Sequence, residues 1–65
     1  MKTKLYKTTT TVQGSREPFV DWFNAESLGE AKAKCDVESK ACGLPMDARR
    51  SVVYVECNPE TLKPL

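Results

Sequence analysis

The groups able to do chemistry in this 65-residue chain are three cysteines (Cys35, Cys42 and Cys57), nine carboxylates, and ten lysines and arginines, with no histidine. Thiolates bind zinc, but three cysteines with neither a Cys-x-x-Cys pair nor a histidine match no zinc spacing. A nucleophilic cysteine needs a neighbour that lowers its pKa or takes its proton, and only Lys34 and Asp36 stand beside Cys35. Without histidine there is no Ser-His-Asp triad and no imidazole general base. No spacing brings two carboxylates into a shared pocket: Glu30 is accounted for by a helix cap, and Asp21 stands among aromatic residues at a strand position. The reading is a non-enzyme with no cofactor and no metal.

Binding chemistry is better represented. Tyr6, Trp22 and Tyr54, together with the Arg49-Arg50 pair, are of the types enriched at protein interfaces. With Lys2, Lys4 and Lys7, the same aromatics would also suit a platform on which single-stranded nucleic acid stacks. The net charge of only +1 argues against tracking phosphates, and no Gly-aromatic RNP-like motif is present. As edge-strand residues the lysines serve equally well to deter aggregation.

Small size limits what can hold these residues in place. A chain this short buries only about 60% of the surface that its unfolded form exposes, so the core is thin. Residues 3–13 are β-branched and aromatic without Gly or Pro, and read as a strand. Gly14 to Pro18 supplies turn residues, and residues 19–25 follow as a second strand in which adjacent Trp22 and Phe23 break the alternation. Ser27-Leu28-Gly29-Glu30 is a capping box that starts a helix at Leu28, with the Glu30 carboxylate expected to reach back to the Ser27 N–H. Leu28, Ala31, Cys35 and Cys42 share the expected inner face, and Gly43 and Pro45 end the helix near Cys42. Residues 51–57 form the third strand, Asn58-Pro59 terminates it, and residues 58–65 read as a tail with Leu62 against the core.

These elements predict one α+β domain over residues 1–65: a three-stranded antiparallel sheet in β-β-α-β order, strand order 2-1-3, with the helix on one face. Strict alternation directs Leu5, Phe19, Phe23, Val53, Val55 and Cys57 toward the helix. It leaves Tyr6, Trp22 and Tyr54 together on the open face, although a one-residue slip exchanges the whole set. In a helix Cys35 and Cys42 lie about 10.5 Å apart along the axis, too far to bridge, whereas Cys57 could reach either; the odd count favours reduced thiols. No run is apolar and long enough to span a membrane and no signal-type core follows Met1, so a cytoplasmic chain is expected.

The layout of a short strand pair, Ala25-Glu26-Ser27-Leu28-Gly29-Glu30-Ala31 opening a helix, and a Val-Val-Tyr-Val strand resembles the small αβ proteins of bacteriophages and mobile elements, the anti-CRISPR proteins among them. The resemblance is one of size and element order, rests on no signature motif and carries no functional residue across. It implies an inhibitor that occludes a host nuclease or surveillance complex. Many such inhibitors are strongly acidic mimics of DNA; this near-neutral chain would instead occupy a protein surface. The expected function is thus a protein-binding module using Tyr6, Trp22, Tyr54, Arg49 and Arg50. A single-stranded nucleic-acid binder and a structural homodimer are the alternatives.

Overall fold

A computed structural model describes residues 3–65; Met1 and Lys2, and with them the expected basic contribution of Lys2, lie outside the described residues. The chain runs β1 (Lys4–Val12), β2 (Phe19–Ala25), α1 (Leu28–Ala41) and β3 (Arg50–Cys57). The sheet is antiparallel throughout in the order β2-β1-β3, as expected from the element order. At the hairpin, Gly14 takes φ 90° and the Ser15 N–H donates to the Val12 carbonyl at 2.9 Å, turning the chain before Pro18.

Local chemistry sets both ends of α1. Ser27 Oγ accepts from the Glu30 N–H at 3.2 Å, forming the first half of the expected cap. The second half differs, because Glu30 Oε2 accepts from the N–H of Glu26 at 3.4 Å and not from that of Ser27. At the other end Gly43 (φ 76°) donates to the Lys40 carbonyl and Leu44 donates to that of Ser39, closing the last turn.

The helix covers the face opposite to the one expected from alternation. Tyr6, Thr8 and Thr10 of β1 are buried beneath it, and they sit directly across from Phe23, Asp21 and Phe19 of β2 and from Glu56, Tyr54 and Val52 of β3. Phe19 and Phe23 face the helix as expected, but Tyr6 and Tyr54 move inward, and Leu5, Val53, Val55 and Cys57 go to the other side. The physical reason lies in the neighbours. Thr8 and Thr10 are close to valine in shape, and the Thr8 hydroxyl donates to the Asp21 carbonyl at 3.4 Å, so a polar pair can lie under the helix without an orphaned group.

The inner face of the helix also differs in detail. Ala31, Cys35 and Ser39 are its buried residues, spaced four apart, whereas Leu28 and Cys42 are exposed. Ser39 belongs there because its hydroxyl accepts from Arg50 Nη1 at 3.1 Å. The three thiols are free; Cys35 is buried on the helix side of the sheet and Cys57 is buried on the other, so the sheet stands between them. The last residues fold back: Asn58 donates to the Lys63 carbonyl, Leu65 donates to that of Glu56, and Pro64 forms a bridge with Cys57. Leu62 is exposed at φ 61° and takes no part in the core.

Candidate functional site

The open face is built from the odd-numbered residues of β1 and their cross-strand partners. Thr9 stands between Val20 and Val53, and Lys7 stands between Trp22 and Val55. Val20 (47%), Trp22 (41%) and Val53 (58%) are substantially exposed, so an uncovered apolar surface spans all three strands. Lys7 Nζ lies 5.7 Å from the centre of the Trp22 ring, a cation–π distance, which places one positive charge in the middle of that surface. Among the described residues Lys7 makes no ion pair.

Of the five residues expected to bind a partner, only Trp22 belongs to this surface. Tyr6 is 5% exposed beneath the helix. Tyr54 is half-buried on the helix side, with Lys32 Nζ 5.8 Å from its ring; burial, followed by the Cys35 sulfur, pushes its hydroxyl up to about 12. Arg50 projects to the helix side and bonds to Asp36 Oδ1 at 2.8 Å and to Ser39, with only 12% of its side chain exposed. Its hydrogen bond to Asp36 holds the guanidinium above the usual arginine range. Arg49 folds onto Asp47 through a bidentate pair at 2.9 to 3.2 Å, which holds the Asp47 carboxyl down at about 2. The two arginines are therefore occupied by their own carboxylates.

Reading from sequence named Lys7 only among the lysines of a nucleic-acid platform and gave Val20, Val53 and Val55 no binding role. The register brings them together: Lys7 stands across from Trp22 and Val55, and Thr9 across from Val20 and Val53. A shallow apolar groove of about 410 Å³ lies elsewhere, between α1 and β2, lined by Phe23, Glu30, Ala33, Lys34 and Val37. Among the described residues no group of three His, Cys, Asp or Glu side chains could hold a metal ion, and no helix is long and apolar enough to cross a membrane. No protein-family model, curated protein or solved structure matches this chain.

Proposed function

We propose that this chain is a non-enzymatic protein-binding module that docks through the open sheet face of Val20, Trp22, Val53 and Val55. The observation that carries this reading is the exposed Trp22 beside the uncommitted Lys7 charge. An aromatic anchor next to a cation fits a protein surface that presents a carboxylate among apolar side chains. Self-association across this face would bring two Lys7 ammonium groups together, which disfavours a second copy as the occupant. A nucleic-acid role finds less support, because Trp22 stands apart from Tyr6 and Tyr54, and Arg49 and Arg50 are already neutralised. Occlusion of a host defence complex is one use of such a surface; size and element order support that narrower reading, and no side chain does.

The test is affinity capture from native cells with the wild-type chain and Val53→Asp as baits, alongside light scattering and binding to labelled single-stranded oligonucleotides. A protein retained by the wild type and lost with a folded Val53→Asp supports the proposal. Salt-dependent oligonucleotide binding, or a dimer that Val53→Asp dissociates, overturns it.

A further inference from the structure

The ladder geometry reveals a second surface, on the outer edge of β2. The Gln13 N–H donates to the Arg49 carbonyl at 2.8 Å, one step beyond the Val12–Arg50 pair, so the odd-numbered residues of β1 bond toward β3 and the even-numbered ones toward β2. Phe19, Asp21, Phe23 and Ala25 are the partners of those even-numbered residues. Val20, Trp22 and Asn24 must then turn both backbone groups outward. The Asn24 carbonyl accepts from Lys34 Nζ, while the outward groups of Val20 and Trp22 meet no partner among the described residues.

The other edge is closed only at its ends: on β3 the outward Glu56 carbonyl takes the Leu65 N–H and the Arg50 N–H goes to the Asp47 carbonyl, while the outward groups of Val52 and Tyr54 also meet no partner among the described residues. What sets the β2 edge apart is its composition and the groove beside it. Phe19 to Ala25 contains no Lys, Arg or Pro, the residues with which proteins usually blunt an edge. The apolar groove between Phe23, Ala33 and Val37 runs beside this strand on its helix side. Val37 is 70% exposed and Phe19 44% exposed there.

Charge indicates what fits. Asp21 projects to the helix side between Phe19 and Phe23 and makes no ion pair among the described residues. The two charges that line the groove, Glu30 and Lys34, pair with each other at 3.3 Å, so Asp21, two residues from Phe23, is the charge beside it left without an ion-pair partner among the described residues. A second copy is a poor occupant. The symmetric pairing that uses both free residues sets Val20 against Trp22 of the other copy and Asp21 against its own counterpart, placing like charges directly opposite each other.

We propose that the β2 edge accepts an extended segment of another protein as a fourth strand, with one apolar side chain entering the groove opposite Phe23 and a Lys or Arg two residues away opposite Asp21. This docking is independent of the open face: β2 contributes its backbone edge and helix side, and Val53 takes no part.

The test is selection of a random displayed peptide library on the full chain, followed by titration of the chain with the selected peptides and by amide hydrogen exchange. The expected peptides pair an apolar residue with Lys or Arg two positions apart, and slow exchange at the Val20 and Trp22 amides. Asp21→Lys should weaken their binding about tenfold or more. Asp21→Asn, the milder variant should Asp21→Lys fail to fold, should also weaken it, and Val53→Asp should leave it unchanged. Failure to select any peptide, selection of acidic peptides or of peptides with helical i, i+4 spacing, protection elsewhere, or a concentration-dependent dimer that masks the edge would each overturn the proposal.

Discussion

The two faces of this sheet carry similar amounts of apolar side chain and meet opposite fates. On the covered face, Tyr6, Thr8 and Thr10 lie under a helix whose contact stripe is Ala31, Cys35 and Ser39, so small and polar groups are buried. On the open face, Trp22, Val20 and Val53 remain in water. The difference shows that burial here follows polar complementarity as much as hydrophobicity. Arg50 reaches Asp36 and Ser39 only from the helix side, and the Thr8 hydroxyl finds the Asp21 carbonyl there. Threonine and serine can be buried when they are bonded, and the aliphatic and aromatic residues left over form the surface available to a partner.

Substitutions on the two faces should sharpen this contrast. Tyr6→Ala removes the largest buried side chain of the covered face and should cost about 3 kcal/mol, a large share of what so small a domain possesses. Chemical denaturation measures this, and a cost below about 1 kcal/mol would mean that the helix side is not the structural core. Arg50→Ala breaks the bridge to Asp36 and Ser39 and should cost about 1 kcal/mol, a figure kept low because Asp36 is half exposed and screened. The loss should be reduced in an Asp36→Asn background when the two substitutions are combined in a double-mutant cycle. Val53→Thr on the open face should change stability by less than about 0.5 kcal/mol while lowering the binding of hydrophobic dyes. A cost equal to that of Tyr6→Ala would erase the distinction between the faces.

A separate effect concerns pH. Burial, followed by the Cys35 sulfur, pushes the Tyr54 hydroxyl up to about 12 from an ordinary 10.0, so the folded state disfavours the phenolate. This contribution is complete below pH 10 and is lost as the pH rises from 10 toward 12, because the unfolded chain ionises first. Thermal melts across that window should show a decline that Tyr54→Phe flattens, with ultraviolet titration of the phenolate as the direct check.

Much of the fold is legible in the chain because its signals act over a few residues. The Ser27 cap, Gly43 at the helix end, the Gly14 turn and the β-branched strands are each decided locally, and once three strands and a helix stand in that order, β2-β1-β3 follows. The make-up of the open face was far less legible. Of Tyr6, Trp22, Tyr54, Arg49 and Arg50, one lies on the open face, and Lys7, Val20, Val53 and Val55 emerge only with the register.

The sequence by itself therefore determined where each element begins and ends, the antiparallel order of the strands, and the absence of histidine chemistry. Only the tertiary structure decided which face the helix covers. That choice compares two whole faces of nearly equal hydrophobicity, so contacts between residues far apart in sequence, Arg50 with Asp36 and Thr8 with Asp21, outweigh any pattern along one strand. The same choice left Trp22 in water and turned Tyr6 into core.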